Sequence, residues 1–73
     1  MQKNFVKNLV RTCLWLREAG REIYFDDFYG HGEMPYIKLG ETRTYLVDTD
    51  EDGGLFVRET ELIKEIIAER TGK

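Results

Sequence analysis

The sequence predicts an α+β domain: a small antiparallel sheet of three to four strands, flanked by N- and C-terminal helices packed on one face, in the order α-β-β-β-(β)-α. Three observations carry this. Apolar residues recur at spacings of three and four near both ends of the chain. The middle is rich in aromatic and β-branched residues that alternate with polar ones. Glycine-bearing turns punctuate that middle at Gly30–Gly32, Gly40 and Gly53–Gly54.

The first helix is expected over Asn4–Ala19, with Phe5, Val6, Leu9, Val10, Cys13 and Leu16 on one broad inner face. Gly20 is placed to stop it, because glycine accepts the left-handed conformation that ends a helix. Trp15 falls on the polar side beside Asn8 and Arg11. It reads either as a partner anchor or as a ring covered by a loop or strand edge. Glu22–Phe28 is the first strand, Tyr29–Glu33 a turn, and Met34–Leu39 the second strand. Pro35 marks either a sheet edge or a position where no ladder donor is needed.

Thr42–Val47 and Leu55–Arg58 then form a hairpin around the polar tip Asp48–Gly54. The last helix spans Thr60–Thr71, with Thr60 as N-cap, Gly72 as stop, and Leu62, Ile63, Ile66 and Ile67 as its apolar stripe. Glu61, Glu65 and Glu69 stand four apart on its outer face as a solvated acidic ridge. Strand alternation sends Ile23, Phe25, Ile37, Leu39, Leu46, Leu55 and Val57 towards the helices. It leaves Tyr24, Asp26, Phe28, Tyr36, Lys38, Arg43, Tyr45, Phe56 and Arg58 on the open face, where exposed aromatics would form a contact surface.

With 73 residues the chain is one domain, 1–73, with a thin stability margin. Such domains need a disulfide, a metal or a partner subunit. Cys13 is the only cysteine, so no intrachain disulfide forms, and it reads as a small buried apolar residue. Self-association is the favoured support. No signal peptide or membrane span is expected, which points to a soluble cytoplasmic protein. The net charge of −3 is uneven: residues 1–21 carry five basic residues against Glu18, while the remainder carries six basic and thirteen acidic ones.

One stretch matches a metal-binding pattern. Asp48, Asp50, Asp52, Gly53 and Glu59 satisfy D-x-[DN]-x-[DN]-G-x5-E, with Leu55 at the hydrophobic position, and in this respect the loop resembles an EF-hand. The resemblance implies Ca2+ ligation by Asp48, Asp50, Asp52 and Glu59. An EF-hand has an entering helix, whereas Thr42–Val47 has strand character, so a plain acidic hairpin tip is the preferred reading and no cofactor is expected. His31, the one histidine, sits near Asp26, Asp27 and Glu33, a grouping that can serve acid–base chemistry; a solvated turn residue is the preferred reading. No phosphate-binding loop, nucleophile elbow or dinucleotide fingerprint is present, and an enzyme is not expected.

The α-β-β-β-α order is similar to that of double-stranded-RNA-binding domains and of small toxin ribonucleases built on that fold. The resemblance is topological, and the last helix departs from it by opening Glu59-Thr60-Glu61 instead of with lysines. The expected function is a small protein–protein interaction module of the kind that phages and mobile elements use as inhibitors. It would act through Trp15, Tyr24, Tyr36, Tyr45 and Phe56, or through Asp48, Asp50 and Asp52 with Glu51, Glu61, Glu65 and Glu69 as phosphate mimics. A homodimer through the aromatic face is the expected assembly. The competing class is a nucleic-acid binder using Lys3, Lys7 and Arg11 with Trp15, or stacking bases on the sheet tyrosines.

Overall fold

The computed structural model describes residues 3–71, with Lys3 described by its backbone alone. The described residues form α1 (Lys3–Glu18), β1 (Tyr24–Asp27), β2 (Glu33–Leu39), β3 (Thr42–Tyr45), β4 (Val47–Thr49), β5 (Leu55–Val57) and α2 (Glu59–Thr71). The α+β class and the order of elements are those expected from the sequence. Gly72, the expected stop of α2, lies outside the described residues. Among the described residues no helix is long and apolar enough to cross a membrane.

The helix ends follow from local chemistry. Gly20 adopts a φ of 88°. The Gly20 amide donates to the Arg17 carbonyl and the Arg21 amide to that of Leu16, both at 3.0 Å, the paired closure of a Schellman motif. α2 starts one residue before the expected Thr60, because Leu62 N–H already bonds the Arg58 carbonyl at 2.8 Å. Glu59 and Glu61 in its first turn favour the positive end of the helix dipole.

The expected hairpin of Thr42–Val47 with Leu55–Arg58 divides in two. β1, β2 and β3 form one antiparallel sheet in that order, and β4 with β5 forms a second. The break falls at Leu46. Its N–H donates to the Pro35 carbonyl at 3.0 Å, while its own carbonyl accepts from Arg58 N–H at 2.8 Å. Opposed residues in an antiparallel ladder would normally exchange both bonds. Proline has no N–H to return, so the Leu46 carbonyl is left for the second sheet. Pro35 thus lies in the central strand, at a point where no ladder donor is needed. The bend it permits lets one strand serve both sheets.

Leu16, Ile37, Leu46, Leu62 and Ile66 form the core, joining both helices to one side of β2, with Leu9, Cys13, Trp15, Ile23 and Leu39 packed against it. α1 is rotated from its expected setting. Thr12 is fully buried, bonding the Asn8 carbonyl at 2.8 Å, while Val6, Val10 and Leu14 face solvent. A three-residue shift around the helix separates these two choices, and the buried side is selected by the fit of Thr12 and Trp15 against the sheets.

Candidate functional site

The aromatic face is built by register. Tyr24 pairs with Tyr36 across β1–β2, and Tyr36 with Tyr45 across β2–β3, so three tyrosines stand in a row on the side of the sheet away from the helices. Their ring centres are 5.5 Å and 5.2 Å apart. Phe28, at the end of the row, packs on Tyr45 at 4.9 Å. This row does not lie open. Tyr36 is 6 % exposed, with the Arg43 guanidinium 4.7 Å above its ring. Lys38 lies 5.3 Å over the Tyr24 ring, and Arg43 is held by Asp26 at 2.8 Å. The hydroxyls are engaged as well: Tyr24 donates to Glu22 at 2.6 Å and Tyr45 to the Asp27 carbonyl at 3.0 Å.

The electrostatics match this self-contained arrangement. The Arg43 hydrogen bond, helped by the Asp27 amide, holds the Asp26 carboxyl below its ordinary value, and the same pair raises Arg43. The Glu22 carboxylate pushes the Tyr24 phenol up. Tyr36 is therefore corrected from a docking residue to a buried one, Tyr45 is half-buried, and Tyr24 and Phe56 remain at the surface. The cause is packing among the residues of the face itself, which alternation along a strand does not reveal. Trp15 is half-buried against the core, the second of its two readings.

The acidic tip is also turned onto itself. The Asp50 Oδ1 accepts from the amides of Asp52 at 2.9 Å and Gly54 at 2.8 Å, and Gly53 has a φ of 85° in the five-residue loop that closes β4–β5. A Cβ on Gly54 would meet the Asp50 carboxylate at 3.2 Å, so glycine suits the tip. Asp48 bonds the Thr49 amide, and Glu59 reaches away to Arg11 at 2.8 Å. The four calcium-pattern acids are accordingly not brought together, and no group of three or more metal-ligating side chains occurs among the described residues. A strand has replaced the entering helix, which removes the geometry of the resemblance.

The ridge of Glu61, Glu65 and Glu69 is not free either. Arg58 binds Glu65 at 2.7 Å and Glu61 at 3.3 Å, and it donates to the Tyr45 carbonyl at 3.0 Å. Expected on the open face, Arg58 is instead mostly buried where the two sheets meet α2. Glu69 pairs with Arg21 and accepts from the Gly40 amide, and the arginine holds its carboxyl below the ordinary value. Nothing in the sequence singled out Arg58 or Arg21. Arg21 lies 48 residues from Glu69, a separation that leaves no local pattern, while Arg58 stands three and seven residues before its acids.

His31 is exposed at the tip of the β1–β2 turn. Its candidate neighbours are used elsewhere: the Asp27 carboxylate accepts from the Gly30 and Gly32 amides at 2.8 Å and 3.2 Å, and Asp26 holds Arg43. Tyr29, in the same turn, has a φ of 50°, and its ring meets Phe28 edge-on.

The helix leaves in solvent an apolar row of which the sequence places Val6 and Val10 in the core and gives Leu14 no side. Val6, Val10 and Leu14 are 47 %, 52 % and 53 % exposed and stand four apart in one row. Lys7, Arg11, Trp15 and Glu18 line a shallow groove with Val10 and Leu14. Fold and surface together define a small α+β domain with a solvent-facing aliphatic helix ridge. No family model, curated protein or solved structure matches the chain.

Proposed function

We propose that this chain is a small protein-interaction module that acts by occupying a partner's surface, as compact inhibitors and modulators do. The observation that carries the reading is the row of Val6, Val10 and Leu14, each about half exposed, on a helix that already has a separate buried side. Aliphatic side chains at spacing four are the anchors an amphipathic helix lays into a groove of another protein. Lys7 stands beside the row and Glu18 continues it, so the matching groove is apolar with a rim that carries both charges.

The nucleic-acid alternative keeps the basic helix but loses its stacking groups. Trp15 packs inward, Arg11 is held by Glu59, Tyr36 at the centre of the tyrosine row is buried under Arg43, and Tyr24 and Tyr45 are partly covered. Two variants test the protein-binding reading. Val10→Glu and Leu14→Glu should melt like the native protein and lose, by at least about tenfold, a partner that the native chain captures from its host extract. Capture undiminished in both variants overturns the assignment to α1. A mobility shift of an oligonucleotide at low salt, lost steeply as salt rises, would favour the alternative.

A further inference from the structure

The two outer strands of the three-stranded sheet are finished differently. Phe28 N–H donates to the Gly32 carbonyl at 3.1 Å, and opposed residues alternate between bonded and non-bonded pairs from there. Tyr24 and Asp26 are therefore the β1 residues that bond β2, and the N–H and C=O of Phe25 and Asp27 point away from the sheet. The same alternation, counted from the Leu46–Pro35 bond, turns Arg43 and Tyr45 outward on β3. There the Arg58 guanidinium covers the Tyr45 carbonyl, and the chain bends away at Leu46 into the second sheet. The β3 edge is left with the backbone groups of a charged residue, Arg43. On β1 the Asp27 N–H donates to the Asp26 carboxylate and the Asp27 carbonyl accepts from the Tyr45 hydroxyl, so among the described residues that edge is left with the backbone groups of Phe25.

The side chains along β1 repeat the contrast. Phe25 is on the helix side of the sheet, opposite Pro35, yet is 60 % exposed. Cys13, Arg17 and Arg21 line a groove beside Ile23 and Phe25 at the start of the strand. The other end is acidic: Asp26, Asp27 and Glu33, the β2 partner of Asp27. Arg21 is held by Glu69, whereas Arg17 makes no ion pair among the described residues.

We propose that β1 pairs antiparallel with β1 of a second copy across a two-fold axis, joining two three-stranded sheets into one of six. An antiparallel pair brings the basic start of each strand to the acidic end of the other, so the edge is complementary to itself. Charge also selects the register. Centring the axis on Asp26 would oppose two aspartates, and centring it on Tyr24 would oppose Glu22 to Asp26. Centring it on Phe25 opposes Tyr24 to Asp26 and Ile23 to Asp27, beside Arg17, and stacks the two Phe25 side chains over the joint. The outward N–H and C=O of Phe25 then close a bonded pair with those of Phe25 in the second copy. This surface is separate from the α1 ridge, and either can fail alone.

Sedimentation of the purified chain, with amide hydrogen exchange at the same concentrations, tests the pairing. A monomer–dimer equilibrium is expected at or below about 1 mM, with the Phe25 amide gaining protection as the dimer fills. Phe25→Pro removes an outward donor without removing a bond to β2, because Phe25 and Pro35 form a non-bonded pair, and should be monomeric. Should that variant unfold, Arg17→Glu on the helix surface decides instead, with dimer dissociation raised about tenfold or more. A monomer throughout the range overturns the proposal, as does a dimer in which the Phe25 amide exchanges freely or Arg17→Glu has no effect.

Discussion

The tyrosine row and the α1 ridge present opposite outcomes from similar starting chemistry. Both are stripes of apolar side chains at regular spacing. The tyrosines, on a sheet face with no helix over it, close themselves off: ring lies on ring, Phe28 caps one end, and Lys38 and Arg43 lie across the faces. Val6, Val10 and Leu14, on a helix that packs against the core, remain in water. Aromatic rings with polar tips and cationic neighbours can cover themselves. Short aliphatic side chains have no such means, and only another molecule can cover them. Exposure here is a property of what surrounds a stripe and not of its residue types.

The contrast can be broken by experiment, beginning where the effect is largest. Tyr36→Ala should cost about 3–5 kcal/mol in chemical denaturation, the range for emptying a buried aromatic site. A loss below about 1 kcal/mol would return the face to the class of open docking surfaces. Arg58→Ala should come next, at about 2–3 kcal/mol, since it removes the cover of the Tyr45 carbonyl and leaves Glu65 facing the sheet junction without its partner. Against these, Val10→Glu should move stability by no more than about 0.5 kcal/mol, because the residue it replaces is solvated. A large loss there would mean that the ridge is part of the core.

A pH titration sharpens the electrostatic side of the comparison. Asp26 and Glu69 both have folded-state carboxyl values depressed by arginine, from ordinary values of 3.8 and 4.5. A depressed acid contributes stability that is present above its unfolded value and lost as pH falls through its folded value. Thermal melting should therefore be level with respect to these two groups above pH 4.5 and decline below it. Glu69→Gln should flatten part of that decline. The smallest effect is expected from calcium: millimolar-range addition should leave the melting temperature unchanged, since Asp50 is turned onto its own loop and Glu59 onto Arg11. A clear rise would show that the tip can reorganise around an ion.

Much of the fold was legible. Both helices, the Gly20 stop, the sides taken by Ile37 and Leu46, and the punctuation at Gly30–Gly32, Gly40 and Gly53 all express short-range rules. The candidate site was not, and for specific reasons. Thr12 and Trp15 look polar or peripheral on a helical wheel, yet they turn inward and push Val6 and Val10 out. Tyr36 looks exposed by alternation, yet its neighbours in register seal it. The acids of the tip and of α2 look available, yet backbone amides, the adjacent Arg58 and the distant Arg11 and Arg21 take them.

By itself the sequence determined which residues form helix, strand and turn, because spacing, glycine conformation and the missing proline donor act within a few residues of one another. Only the tertiary structure decided that one strand bends at Leu46 into a second sheet and which stripes stay wet. It also decided that the unpaired backbone groups of the β1 edge belong to an exposed Phe25. Those outcomes depend on residues tens of positions apart, and no local pattern encodes which of two similar faces its distant neighbours will cover.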